Sequence, residues 1–354
     1  VTTESGRRAY DRAAALADIA GARRALAAWA GRIGADPVLE PVPQGLLNAT
    51  FRVGRPARFA LQLVHPQFGA AEHERLAAMA PVLAAAGVAV PAPQATDDGR
   101  LFLPDATGAT WRLTTWLDGL GVDRVPSAAH AAGAAAYLAR FHDALAGPAF
   151  AGWPVSRFHD TAARMAALEQ ALPDDTDGAA RRLGEAILAT WRAADLTART
   201  PPRPGHGDPK ISNLLFRGTE ACGLLDLDTA ARFALDDDLG DAFRSWCNPA
   251  GEDDPAGPFD EPTFAAAVAG YLAAARTITA DERALIVAGT IRIALELGAR
   301  FCLDAIRQDY FAWNPAVAPT RRAHNLIRAA GQLAFARRLI DRRAALEHLV
   351  AGLR

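Results

Sequence analysis

The chain is almost without lysine. Of its 38 basic residues, Lys210 alone is a lysine and the rest are arginines. An ammonium kept where arginine is used everywhere else is a compact point charge, the cation suited to a phosphate oxygen rather than to a flat, two-pronged partner. Cysteine is scarce too. Cys222, Cys247 and Cys302 are odd in number and widely spaced, which argues against a disulfide framework or a zinc site and for a reducing, cytoplasmic setting. Net charge is nearly absent at −2, so no nucleic-acid or membrane partner is expected. No apolar run is long enough to span a bilayer, and the first residues lack a signal peptide's apolar core. The chain starts at Val1 rather than Met, which points to a missing residue or a tag. Internal repeats are absent, and the abundant Ala and Arg reflect genome composition. The 354 residues allow one large or two modest domains.

What is present concentrates in Pro204–Thr229, PGHGDPKISNLLFRGTEACGLLDLDT. It reads as loop, strand, turn, strand. His206, Asp208, Lys210 and Asn213 stand in the loop, Leu214 to Phe216 begin an apolar strand, Gly218 sits in the turn, and Gly223 to Leu225 form a second strand that delivers Asp226. The set suits metal-assisted phosphoryl transfer. Asp208 accepts a hydroxyl proton, Asn213 and Asp226 offer hard oxygens to Mg²⁺, and Lys210 neutralises charge on the phosphate in flight. Two other readings stand beside it. One is a surface turn with capping Asp and Asn. The other is a His/Asp metal-hydrolase loop, which wants more histidine nearby, and none lies between His206 and His324.

H-x-D-x-K-x-x-N followed by an apolar strand ending in Asp resembles the catalytic loop and metal-binding Asp of kinases. HGD in place of HRD looks like the aminoglycoside-phosphotransferase and choline-kinase branch, which phosphorylates small molecules. The resemblance runs from about residue 37 to 345. It implies an α+β, bilobal, protein-kinase-like fold with a small β-rich N-lobe and a large, mainly helical C-lobe. The segments are 1–36 as an N-terminal helical stretch, 37–117 as the N-lobe and 118–354 as the C-lobe. It further implies Mg-ATP bound between the lobes, a small hydroxyl-bearing acceptor, and a monomer or homodimer. The segment Thr115 to Leu117 would be the hinge whose backbone holds the base. Asn48 and Thr50, in the glycine-poor GLLNATFRV, would offer donors to the phosphates, although an ordinary hairpin is the preferred reading there. His206 and Asp238 would support the loop, Asp238 by bracing its backbone.

One departure stands out. Gln62 occupies the place of the strand lysine that pairs with phosphates in that family. Either nucleotide binding is weaker, or an arginine such as Arg52 substitutes, or the chain is a pseudokinase. Glu72 or Glu74 would hold the place of the helix-C glutamate, with no evident cation to meet. N-acetylhexosamine 1-kinases resemble the chain further, in His206 to Asn213, in Asp226-Leu227-Asp228-Thr229, in Asp237 to Arg244, in Leu61-Gln62 and in the His-Asn-Leu at 324–326. Gly207, Ser212 and Leu63 depart from that pattern. Asp228 and Arg244 are candidate substrate contacts, Arg244 equally readable as an internal partner of a nearby acid.

Period and propensity give the remaining elements. Helices are expected over 9–31 (Leu16, Ile19, Leu26 and Trp29 on one face), 69–87, 127–145, 158–172, 177–194 and 238–246, and through most of 261–350 apart from 310–319. Strands are expected near 37–43, 47–54, 57–64, 101–103 and 109–117. His142, on the stripe of Leu138, Phe141 and Leu145, reads as packed. Tyr310, Phe311 and Trp313 read as a plug between helices or a sugar-stacking wall. The acid-rich 236–254 stretch would serve a polycationic aminoglycoside, the main rival acceptor beside choline, homoserine and other amino alcohols.

Overall fold

The computed structural model describes residues 10–34, 36–43, 45, 47–105 and 107–353. Residues 1–9 and 35 of the 1–36 segment (residue 9 also of the first expected helix), 44, 46 and 106 of 37–117 (Leu46 also of GLLNATFRV) and the last residue of 118–354 lie outside the described residues. The chain divides into two compact units: the chain up to Asp118 together with Gly223–Ala230, and Gly119–Cys222 together with Ala231 onward.

In the first unit the expected helix over 9–31 comes in pieces: α1 (Arg12–Ala17), α2 (Ile19–Leu26), a 3₁₀ turn at Ala27–Trp29 and α3 (Ala30–Ile33). The break is at Asp18, whose carboxylate accepts the Gly21 N–H at 2.7 Å and so starts a new helix inside the old pattern. The apolar face still works. Leu26 and Trp29 are fully buried and Leu16 and Ile19 partly so, against Phe51, Val53, Leu61, Leu63, Trp111 and Leu113.

Those residues line one face of an antiparallel sheet, β1 (Leu39–Val42), β2 (Ala49–Val53), β3 (Phe59–Val64), β4 (Pro93–Gln94), β5 (Leu103–Pro104) and β6 (Thr110–Thr115), ordered β1-β2-β3-β6-β4 with β5 also on β6. Alternation turns Thr50, Gln62 and Arg112 to the opposite face, where the register sets them side by side: Thr50 opposite Gln62, and Gln62 opposite Arg112. Helix α4 (Ala70–Ala85) follows β3, capped by Glu72, which accepts the Gly69 N–H at 2.7 Å. Glu72 has a cation after all, Arg75 one turn on, at 2.6 Å.

The second unit holds short strands and long helices. Strands β9 (Leu214–Arg217) and β10 (Glu220–Leu224, its last two residues counted with the first unit) follow the loop 206–213, and β7 (Leu120–Gly121) adds to β9. Strand β8 (Arg203–Gly205), inside the proline-rich approach PPRPG, pairs with β11 (Ala231–Phe233). Helix α5 (Ala128–Leu145) starts on Ser127, whose hydroxyl caps it, and buries Leu138, Phe141 and Leu145 completely, each contributing about 1.5–3 kcal/mol. Then come α6 (Thr161–Ala171), α7 (Ala179–Ala193), α8 (Leu235–Trp246), α9 (Glu261–Ala274), α10 (Ala280–Ala284), α11 (Ile286–Arg307), α12 (Arg321–Asp341) and α13 (Arg343–Gly352). Helix α8 begins at Leu235, three residues before the expected 238, so Asp236, Asp237 and Asp238 all lie in its first turn. Helix α11 is the centre, packed against α6, α7, α8 and α12. Among the described residues no helix is long and apolar enough to cross a membrane.

Helices α8 and α11 touch backbone to backbone at Gly240 and Gly289. A Cβ on Gly289 would collide with the Asp236 carbonyl oxygen, backbone that cannot swing aside. Gly289→Ala is therefore expected to lower the unfolding free energy by about 1–3 kcal/mol, read as a drop in the urea midpoint at unchanged slope.

Candidate active site

The loop 206–213 has little regular structure, so its backbone polar groups need partners from elsewhere. Helix α8 supplies them. Asp238 accepts the N–H of His206 at 2.9 Å and of Gly207 at 2.6 Å, Ser245 accepts from Ile211 N at 3.2 Å, and Trp246 donates to the Pro209 carbonyl at 2.9 Å. His142 on α5 meets Asp238 at 2.8 Å and the Tyr271 hydroxyl at 2.8 Å; it is packed and bonded. Gly207 holds a φ of +83°, a left-handed conformation that a Cβ would strain. Burial would raise the Asp238 carboxyl. The hydrogen bond and charge of His142, with His206, reverse this and hold it at about 2. With its pKa lowered on folding, the carboxylate stabilises the fold above the ordinary aspartate value, and that stabilisation is lost as pH falls through about 2.

Within this frame Asp208, Lys210 and Asn213 are brought together. Lys210 Nζ pairs with Asp208 Oδ2, the two side chains 33% and 23% exposed. The Asn213 amide donates to the Asp208 carbonyl at 2.8 Å. That bond requires the nitrogen on the Asp208 side and so turns the amide oxygen the other way. His206 Nδ1 accepts the Asp208 N–H at 3.2 Å. Arg244, two turns further along α8, is buried and bonded to Asp241 at 2.9 Å and Glu252 at 2.7 Å. It is the internal partner that was one of its two readings.

In the first unit Asn48, Thr50, Gln62 and Asp228 form one network, and its hub is a residue that sequence reading missed. Arg112 donates to Gln62 Oε1 at 2.9 Å and grips both oxygens of Asp228, at 2.5 and 2.9 Å. Gln62 donates on to Thr50 at 3.1 Å, and Asn48 donates to Asp228 at 3.0 Å. Burial would raise the Asp228 carboxyl, but Arg112 by charge and hydrogen bond, then Asn48, hold it below the usual range. The cation beside Gln62 is thus Arg112 and not Arg52, which is exposed and lies over the Trp116 ring at 4.8 Å. Only the sheet register, Gln62 opposite Arg112, signals this. With both oxygens on Arg112, Asp228 is a buried partner of the strand cation rather than an open substrate contact. Asp226 opens the 3₁₀ turn at Leu227–Thr229 with left-handed φ of 60° and is exposed. Thr115 has its N–H and its hydroxyl engaged with Ala92, at 2.9 Å each, which leaves its carbonyl and the backbone of Leu117 outside that pairing.

The fold and its loop define a protein-kinase-like class. Over residues 38–285 the chain matches the phosphotransferase enzyme family, and it belongs to that family. Solved structures of this shape include a choline/ethanolamine kinase family protein from Mesorhizobium loti (21% identical, TM-score 0.61, covering 95% of this chain and 98% of that one). They also include a microcompartment-associated aminopropanol kinase (18%, TM-score 0.61, 95% and 99%). A third is the GDP complex of aminoglycoside 2′-phosphotransferase-IIIa (15%, TM-score 0.60, 90% and 99%). At such identities the likeness is one of fold. A homoserine kinase of Rhodopseudomonas palustris is 29% identical over 166 residues, 47% of this chain, and the match spans half the length of that relative.

Removing the Arg112 guanidinium strands a buried carboxylate. Arg112→Met is expected to lower the unfolding free energy by about 3–5 kcal/mol, and Arg112→Lys, which keeps the charge but not the fork, by less; chemical denaturation of both variants checks the order.

Proposed function

We propose that the protein is an ATP-dependent phosphotransferase that moves the γ-phosphate to a hydroxyl of a small molecule, and that the acceptor is a sugar such as an N-acetylhexosamine. The observation that carries the reaction type is the loop itself. It holds one partly exposed carboxylate, one ammonium and one oriented amide, on a backbone held by a buried acid.

Asp208 orients the acceptor hydroxyl and takes its proton. Lys210, now on Asp208, contacts the γ-phosphate when one is present. Asn213, with its amide oxygen turned away from the Asp208 carbonyl, and the exposed Asp226 carry hard oxygens of the kind Mg²⁺ selects. Magnesium bound there would neutralise charge on the phosphates. Little covalent chemistry falls to the protein, so positioning and charge stabilisation supply most of the rate. The backbone of the 115–117 segment, the Thr115 carbonyl and Leu117, meets the base, and Asn48 and Thr50 support the phosphate side through the Arg112 network. Arg112 restores a cation next to Gln62, which favours a working kinase over a pseudokinase.

The sugar reading rests on the resemblance in the loop and in Asp226–Thr229, and on two exposed aromatic side chains, Tyr310 at 57% and Trp313 at 43%. Only Phe311 of that cluster acts as the expected plug, 4.4 Å from the Phe301 ring. An amino alcohol is the second reading, favoured by the homoserine, choline/ethanolamine and aminopropanol kinases among the similar proteins. A polycationic aminoglycoside is disfavoured by the arrangement of the acids. Asp236 and Asp237 pair with Arg292, Asp241 and Glu252 with Arg244, and Asp253 with His324 and Arg328. Most acids of that stretch therefore already have a cationic partner inside the protein.

Acceptor-dependent ADP release with Mg-ATP, across N-acetylhexosamines, other sugars, amino alcohols and aminoglycosides, tests this. One N-acetylhexosamine is expected to stand out. Asp208→Asn is expected to lower kcat by about 10²–10⁴-fold with Mg-ATP binding retained in calorimetry, and a variant that turns over like wild type would falsify Asp208 as the base.

A further inference from the structure

His159, just before α6, stands between the catalytic loop and the central helix α11. Its Nε2 lies 3.0 Å from the Gly207 carbonyl oxygen, and its Nδ1 lies 3.0 Å from Glu296 Oε1. The side chain is buried, edged by the Phe158 and Phe233 rings at 4.9 and 5.6 Å. A peptide carbonyl and a carboxylate only accept hydrogen bonds. A neutral imidazole has one N–H and can serve one of them; serving both takes two, which is an imidazolium. Two other buried histidines of this unit differ in this respect. His142 faces Asp238 and the Tyr271 hydroxyl, which can donate. His324 faces Asp253 and the Asn314 N–H, which does donate. Neither site calls for two ring N–H groups.

The surroundings keep this charge. Glu296 Oε2 accepts the Thr161 hydroxyl at 2.6 Å, and that hydroxyl in turn accepts from Arg199 at 3.2 Å. Burial would drive the proton off His159. The Glu296 carboxylate, by charge and hydrogen bond, and Asp241 and Asp237 on α8 reverse this and hold the ring at about 9. The opposing cations are Arg199, paired with Asp237, and Arg300 on α11, whose guanidinium lies 4.9 Å over the Phe158 ring. Glu296 is correspondingly lowered, the burial that would raise it being outweighed by His159.

The Gly207 carbonyl belongs to the peptide unit whose N–H is that of Asp208. One edge of that plane is held by His159, the other by His206 Nδ1 at 3.2 Å. Gly207's own N–H goes to Asp238 at 2.6 Å. We propose that His159 is a positioning residue, kept as an imidazolium by Glu296, that fixes the peptide plane before Asp208 and thereby aims its carboxylate. The proposal rests on Asp208 being the catalytic base.

With its pKa raised on folding, the clamp is complete below the ordinary histidine value and is lost as pH rises through about 9. The kcat–pH profile of the wild type is expected to fall on its alkaline side with a midpoint there. Glu296→Gln, which keeps an acceptor but removes the charge, is expected to move that limb down by about one pH unit or more. His159→Gln is expected to lower kcat at every pH and abolish the limb, with KM for ATP little changed. If His159→Gln does not fold, Glu296→Gln carries the test. Ring ¹⁵N shifts of the protein alone at pH 7.5 need no acceptor, and His159 is expected to be protonated on both nitrogens. A neutral His159 overturns the inference whether or not turnover is seen, and so does an alkaline limb unmoved in Glu296→Gln. A charged ring in a chain that phosphorylates no acceptor upholds the clamp and counts against the kinase reading instead.

Discussion

Three consecutive carboxylates buried in the first turn of α8 are the constraint on which the second unit depends. Asp236 takes Arg292 and the Thr200 hydroxyl, the latter at 2.7 Å. Asp237 takes Arg292 and Arg199. Asp238 takes the backbone of the loop 206–213. The segment before β8, the loop after it and helix α11 are therefore tied to one helical turn, at the positive end of the helix dipole, which favours negative charge. Such pairs add less stability than their distances suggest, because desolvation offsets the attraction. What they fix is arrangement: an irregular loop can stay in one conformation only if each of its polar groups has one partner.

The near absence of lysine becomes intelligible at this point. Arg292 is completely buried and donates to Asp236, Asp237 and the carbonyls of Leu196 and Ala198. Arg112 serves Gln62 and both oxygens of Asp228. Each job needs several N–H groups in a fixed plane, which a guanidinium has and an ammonium lacks. Arginine is the structural cation of this fold, and the one lysine stands beside a carboxylate that is itself partly open to solvent.

How much could be read beforehand follows from the range of each interaction. The α5 stripe and the loop spacing from His206 to Asn213 are local patterns, and both were legible. The break at Asp18 was not, because a capping aspartate inside a helical period gives no sign until its side chain turns back. Strands of two or three residues, such as β4, β7 and β8, are too short for any period, and two of them contain proline. Arg112 was invisible for another reason: it matters only once strands 50 residues apart fall into register. Asp236, Asp237 and Asp253 looked surplus because their partners, Arg292, His324 and Arg328, lie far along the chain.

Lys210 carries the chain's one ε-amino group, a third exposed and held against Asp208. Amine-selective chemistry on the intact protein therefore has a single side-chain address, inside the loop 206–213. A methyl isotope placed there by reductive alkylation would give a spectroscopic reporter of that loop with no other side-chain signal to separate from it.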